Sequence, residues 1–303
     1  MKAMTSLIIG GDSTIGGALA DAFASQGDTV YATTRRASAT NKNAVHLDLA
    51  TSDLNAITLP PADIAFFCAA ITGFAACRTN EPLARQVNVT GPTLLARRLV
   101  AAGTRVVLLS TSAVFDWRVP NVVANRSPCP VTVYGKLKAE AEKAFIAIGS
   151  AASILRLTKV LTPADSILNG WIEALSQKRT VTAFVDHHMA PVTLEDVISA
   201  LLAISGSSDH GVFQVSGSRD ISYFDAALHL ASRLGVAPHL CVAALASESN
   251  IPPEEIIQYS SMDTSRIGAI AGWTAPDPHF VIDEVFRADI DARKKHLGAA
   301  NNV

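Results

Sequence analysis

Through the first half of the chain, short wholly apolar runs alternate with segments whose apolar residues recur at helical spacing. The runs "SLIIG", "TVYATT", "AVHLD", "DIAFFCAA", "RVVLLSTSAVF" and "ASILRLT" have strand length. Between them lie "STIGGALADAFASQG", "EPLARQVNVTGPTLLARRLVAAG" and a segment from residue 131, all helical in period. Strands without polar alternation are buried on both faces, which requires a parallel sheet covered by helices on each side. Right-handed crossovers then leave a doubly wound α/β sheet as the expected fold. After about residue 160 the rhythm loosens. "TPADSILNGWIEALSQKR" and "SYFDAALHLASRLG" read as helices, "GVFQVSG" as a strand, and "PVTLEDVISALLAI" as a helix capped by Thr193 with Asp196 in the capping-box position. The stretch "IPPEEIIQYSSMDTSRIGAIAGW" reads as irregular, and the tail "ARKKHLGAANNV" as a frayed end. The expected organisation is a Rossmann-type domain over 1–160, with 190–212 packing back on it, and a smaller lobe from 161–189 and 213–303. Trp171 and Trp273 are expected in the core of that lobe.

The bulk numbers narrow the function. With 303 residues, 49% of them hydrophobic and 17% charged, the chain buries a substantial core. A net charge of −2 gives no basic footprint for nucleic acid. Cys68, Cys77, Cys129 and Cys241 form no CxxC pair and read as reduced thiols of a cytoplasmic protein, not as a disulfide or zinc framework. The run "IAFFCAAITGFAAC" is shorter than a membrane span, and "LIIGGDST" interrupts the N-terminal apolar stretch too early for a signal peptide.

The first strand meets the first helix in "LIIGGDSTIGGALADAF". Gly10 and Gly16 fit the outer positions of a G-x-x-G-x-x-G turn with Ser13 in the middle, and Thr14 and Ile15 complete it. Such a turn brings backbone close to a pyrophosphate and aims helix N–H groups at it. A tight strand–helix turn without ligand has the same pattern, so its place in the first βα unit is what supports a dinucleotide. The second strand ends in Arg35 and Arg36 where an acid would meet a ribose 2′-hydroxyl. The pair suits a 2′-phosphate, or is a solvated basic pair; on the first reading NADP(H) is expected over NAD(H). Asp48, with Leu49, follows the third strand where a side chain faces the adenine, and Ala69 and Ala70 end the fourth, where small residues let a dinucleotide cross the sheet.

Thr111 ends the fifth strand, on the edge where open α/β sheets bind ligands. Tyr134 and Lys138 lie one turn apart on the next helix. They are either a proton donor with its charge partner or an aromatic and a lysine sharing a face. On the first reading the ammonium lowers the phenol's pKa toward neutrality, so that it can exchange a proton as hydride moves. Thr111 then holds the reacting oxygen. Ser112 and His188 are candidate substrate contacts; His187 and His188 otherwise read as structural, and no further ligands for a metal are in view. Trp117 and Arg118 either line the pocket or pack.

The series Gly10…Gly16, Asp48, "VNVTGP", "STSAVFD", Tyr134-x-x-x-Lys138 and "ILRLTKV" resembles the extended short-chain dehydrogenase/reductases, or NAD-dependent epimerase/dehydratase superfamily, over residues 5–200. "STSAVFD", "AFVDHHMAPVTLEDV" and "YSSMDTSRI" are similar to its dTDP-4-dehydrorhamnose reductase branch. The resemblance implies Thr111, Tyr134 and Lys138 as a catalytic triad, Val160 near the nicotinamide amide, and reduction of a nucleotide-linked keto sugar. Ser112 and Ala113 replace the Asp-Glu pair of the dehydratases, and the reductases have Asp at Ser112. Residues 213–280 carry three basic residues (Arg219, Arg233, Arg266) against seven acidic ones, a poor setting for a nucleotide diphosphate unless Lys159, Lys178 and Arg179 meet the phosphates. A less charged carbonyl compound, a sugar epimerase with retained cofactor, and a non-catalytic dinucleotide-binding regulatory subunit are the alternatives. A homodimer is expected by analogy.

Overall fold

The computed structural model describes residues 3–36, 43–51 and 53–300, with side chains through residue 294. Thirteen strands are described: β1 Thr5–Ile9, β2 Thr29–Thr34, β3 Ala44–His46, β4 Ile64–Phe67, β5 Arg105–Thr111, β6 Ala152–Leu157, β7 Val160–Leu161, β8 Val181–Phe184, β9 His188–Met189, β10 Val192–Thr193, β11 Gly211–Val215, β12 Ile221–Ser222 and β13 Cys241–Ala244. The helices are α1 Thr14–Ser25, α2 Phe74–Thr79, α3 Glu81–Arg85, α4 Gly91–Ala101, α5 Val133–Ile146, α6 Ser166–Ser176, α7 Leu194–Gly206, α8 Tyr223–Leu234, α9 Ser265–Ala271 and α10 Pro278–Ala300. None of the described helices is long and apolar enough to cross a membrane.

Seven strands form one parallel sheet in the order β11-β6-β5-β4-β1-β2-β3. This is the doubly wound Rossmann order with β11 added at one edge. Alternate strand residues point to opposite faces, and each face buries its own core. Ile8, Phe66, Val107 and Leu155 meet Leu19 and Phe23 of α1 and Val197, Leu201 and Ile204 of α7. Leu7, Ile9, Phe67 and Leu108 meet Leu95 and Leu99 of α4 and Ala141 and Phe145 of α5. The boundary expected at 213 falls inside β11, so residues 213–215 belong to the central sheet.

A third core gathers Leu168, Ile172 and Leu175 of α6, Leu230 and Leu234 of α8, and Phe286 and Ile290 of α10. Trp171 packs on it as expected. Trp273 does not: it packs on the core shared with α7 and α9, and its Nε1 donates to Asp196 Oδ1 at 2.8 Å. A buried indole goes where its N–H finds an acceptor. The predicted capping box of α7 is present, with both Thr193 and Asp196 bonded. The expected frayed end is helical as far as Ala300 in α10; residues 301–303 lie outside the described ones.

Three short ladders connect the segments above the sheet. β7 pairs with β10, β13 with β8 in parallel, and β9 with β12 in antiparallel. They carry the chain over the C-terminal ends of β4, β5 and β6, where the site lies.

Candidate active site

The turn after β1 is shaped by its glycines. Gly10 has φ +97°, and a Cβ there would meet Ala69 N at 2.5 Å. At Gly16 a Cβ would meet Gly10 O at 2.2 Å. Only glycine lets β1, the turn and α1 close this tightly. Ser13 caps α1: its hydroxyl donates to Gly10 O at 2.8 Å and accepts from Gly16 N at 3.0 Å. Its hydroxyl is thus engaged within the turn.

A groove of about 310 Å³ opens above this turn, lined by Gly10, Asp12, Ser13, Thr34, Arg35, Asp48, Leu49, Ala69 and Ala70 among others. Most of the residues expected around a dinucleotide thus converge there. Thr14 is exposed at the start of α1, Gly16 is buried under the turn, and neither lines the groove. Arg36 lies outside its lining with a side chain 79% exposed. The glycine cradle, the alanine floor and the helix start fit a dinucleotide. Asp12, which sequence reading passed over, stands among these groups. Its Oδ2 accepts from Thr34 Oγ1 at 2.7 Å and from Arg35 N at 3.3 Å.

A second cavity, of about 520 Å³, adjoins at Ala70. Ile15, Thr111, Ser112, Tyr134, Lys138, Val160 and His188 all line it. Their meeting depends on how α5 docks. Thr132 caps that helix by accepting from Gly135 N at 3.0 Å. A Cβ on Gly135 would lie 2.0 Å from Ala113 O. The glycine therefore lets α5 press against the turn after β5, bringing Tyr134 to Thr111.

Lys138 is 3% exposed and its Nζ donates to Leu109 O at 2.6 Å. Burial brings its pKa from 10.5 down to about 8, against the opposing pull of Glu142 and Cys68. Burial also pushes the Tyr134 phenol well above its ordinary value; Cys77 adds to the rise, and hydrogen bonding with Thr111 offsets it only in part. The acidified phenol expected from the Tyr134/Lys138 spacing is thus corrected: Tyr134 is a firmly protonated phenol. Desolvation is the dominant cause, and the Lys138 ammonium is engaged with Leu109 O and coupled to Glu142.

Glu142 continues the stripe of Tyr134 and Lys138 on α5. It is fully buried and takes two bonds from Arg156 of β6, at 2.9 and 2.7 Å, and one from Ser110 at 2.6 Å. Arg156 also reaches Ala124 O and Gln214 Oε1, and its guanidinium lies 4.9 Å from the Phe115 ring centroid. No local pattern announces this network, since Arg156 sits in a run otherwise read as apolar strand.

The cavity's outer wall comes from distant segments. Trp117 is 3% exposed at φ +56°, its ring centroid lies 5.9 Å from that of Phe74, and its Nε1 has no partner among the described residues. A left-handed backbone at a bulky residue is strained. His187 Nδ1 accepts from Ile257 N at 3.0 Å, so its proton resides on Nε2, and its ring stacks on Tyr223 at 5.1 Å. Burial, with His188 beside it, lowers His187 to about 4 and keeps it neutral. His188 donates its backbone N–H to Ile257 O at 2.9 Å. Lys159 lines the cavity paired with Asp165 at 2.7 Å, whereas Lys178, Arg179 and Arg118 do not line it. Asn88 of "VNVTGP" exchanges two 2.8 Å bonds with the Ile71 backbone, fixing the loop after β4. No group of three or more His, Cys, Asp or Glu among the described residues is placed to hold a metal.

The chain is 26% identical over 283 residues to a dTDP-4-dehydrorhamnose reductase of Mycolicibacterium smegmatis (strain ATCC 700084 / mc(2)155), covering 90% of this chain and 82% of that protein. It is 25% identical over 174 residues to methionine adenosyltransferase 2 subunit beta of Rattus norvegicus, covering 54% and 52%. The crystal structure of dTDP-4-dehydrorhamnose reductase from Bacillus anthracis str. Ames in complex with NADP superposes with a TM-score of 0.80 at 17% identity, covering 95% of this chain and 99% of that one. The family described as the RmlD substrate binding domain matches residues 4–287, and the chain belongs to that family, within the extended short-chain dehydrogenases/reductases.

Proposed function

We propose that the chain transfers hydride between a nicotinamide dinucleotide and a carbonyl or alcohol carbon of a keto sugar, with a nucleotide-linked sugar favoured. The observation that carries this reading is the convergence of Thr111, Tyr134, Lys138 and Val160 on one cavity that meets the glycine-turn groove at Ala70. Residues 1–160 with 190–215 would hold the dinucleotide, and 161–189 with 216–303 the substrate. The Arg35 and Arg36 pair supports NADP(H) over NAD(H), whereas solved structures of this fold include complexes with NADP and with NAD.

A bound nicotinamide dinucleotide supplies the hydride. Tyr134, protonated because it is buried, donates its phenolic proton to the substrate oxygen during reduction. Thr111 orients that oxygen through its hydroxyl. Lys138, its pKa close to the working range, steadies the phenolate left behind and contacts the cofactor ribose. The apolar wall of Phe74, Trp117 and Ile257 excludes water. Ser112 and His188 contact the substrate. Without carboxylates at Ser112 and Ala113, elimination of water has no acid–base pair.

The test is oxidation of NADPH, followed by absorbance, against dTDP-4-dehydrorhamnose and a panel of small ketones. Tyr134→Phe is expected to lower kcat by about a thousandfold while cofactor affinity holds. Unchanged turnover in that variant would remove the assigned role. The similarity to methionine adenosyltransferase 2 subunit beta supports a second reading, a dinucleotide-binding regulatory subunit. Cofactor binding and a stable partner complex with no turnover on the panel would favour it. Turnover of a sugar nucleotide by protein that keeps its cofactor, without added NADPH, would indicate an epimerase.

A further inference from the structure

The end of β2 carries an unusual pair of signals. In sites of this architecture, an acid at the end of the second strand accepts the ribose 2′-hydroxyl of NAD, whereas a basic residue there accommodates the 2′-phosphate of NADP. Here the strand runs on from Thr34 into Arg35 and Arg36, but an acid reaches the same spot from the glycine turn. Asp12 Oδ2 is bonded to Thr34 Oγ1 at 2.7 Å and to Arg35 N at 3.3 Å, so the carboxylate is fastened to the strand end. Asp12 Oδ1 lies 4.0 Å from Arg36 Nε. Asp12 lines the dinucleotide groove beside Ser13, Thr34 and Arg35. The Thr34 bond holds its pKa below the ordinary carboxylate value; burial works against this, and the Arg35 backbone and the Arg36 charge work with it. The group is an anion at neutral pH.

We propose that Asp12 sets the cofactor preference: its carboxylate accepts the ribose 2′-hydroxyl of NAD(H) and, through its charge and its pull on Arg36, opposes the 2′-phosphate of NADP(H), so that the chain takes both cofactors. The inference rests on the dinucleotide reading above. Its physical basis is the sign of the charges. A phosphate brought to the arginines meets Asp12 at the same distance scale, and a hydroxyl meets only an acceptor. Removing the carboxylate's charge frees Arg36 for the phosphate and weakens the hold on the hydroxyl.

The experiment measures dissociation constants of NADH and NADPH by nicotinamide fluorescence, with the full chain and no substrate. Wild-type protein is expected to bind the two within about tenfold of each other. Asp12→Asn keeps the size and most of the hydrogen bonds, and is expected to shift the ratio toward NADPH by about tenfold. Arg36→Ala is expected to weaken NADPH binding more in the Asp12→Asn background than in wild type, because Asp12 no longer competes for the guanidinium. Asp12→Ser, which retains an acceptor for Arg35 N, should repeat the shift and guards against a folding defect in the first variant. A ratio that both variants leave unchanged, or move toward NADH, overturns the role of Asp12 while the dinucleotide reading stands. Failure of wild-type protein to bind either cofactor overturns both.

Discussion

Replacing Lys138 by methionine should make the protein more stable while disabling it. The ammonium is 3% exposed, and burial brings its pKa from 10.5 to about 8. At about 1.4 kcal/mol per pH unit, keeping that charge inside the fold costs about 3 kcal/mol at neutral pH. Methionine fills similar space and forfeits the charge-assisted bond to Leu109 O, about 2 kcal/mol. The net gain is about 1 kcal/mol, an increase of about 2 °C in Tm for a chain of this size. The gain has a definite pH dependence. Below pH 8 the lysine is protonated in both native and unfolded protein, and the full cost stands. Between about 8 and 10.5 the native protein has released a proton that the unfolded chain still holds, so wild-type stability rises toward that of Lys138→Met. Above 10.5 the cost is gone. Melting temperatures at pH 7 and pH 10 test this, and a variant less stable than wild type at pH 7, or one whose advantage persists undiminished at pH 10, would refute the reasoning.

Glu142→Ala leaves Arg156 buried without its counter-ion and should destabilise by about 3–5 kcal/mol, read as a loss of Tm together with a lower Lys138 pKa by NMR. Arg156→Met together with Glu142→Leu should recover much of that loss, because the desolvation of both charges disappears. Gly135→Ala places a Cβ 2.0 Å from Ala113 O, so α5 must draw back from the turn after β5. A shift of about 1 Å between Tyr134 and Thr111 should lower kcat about a hundredfold, with NADPH affinity nearly unchanged by fluorescence titration.

β1, β4, β5 and β6 were legible because each is a short apolar run bounded by glycine or polar residues, and β2 and β3 because they are rich in strand-favouring residues. The ends of those strands place Gly10, Ala70 and Thr111, whereas Val160 came only from the family resemblance and lies in the short β7. The two-residue ladders β7–β10 and β9–β12 were not legible, since two residues carry no periodicity. The same limit hid Ile257 and Tyr223 as walls of the cavity. Arg156 was hidden for another reason: its partner Glu142 lies on a different element, and pairing across elements leaves no local trace. The phenol of Tyr134 was misjudged because spacing shows that a lysine is near but not how far water is excluded. Asp12 carries no local signal, because its place depends on a hydrogen bond to Thr34 on another element.

The outer wall of the large cavity is made from pieces that owe little to the central sheet. Ile257, His187, His188 and Tyr223 are held to one another by two backbone bonds, an amide-to-imidazole bond, a ring stack and a two-residue ladder. Insertions or exchanges in those loops can therefore re-tailor which molecule is admitted, while the proton-handling groups on β5 and α5 stay where they are. The architecture separates selectivity from chemistry, and relatives that share the second are free to diverge in the first.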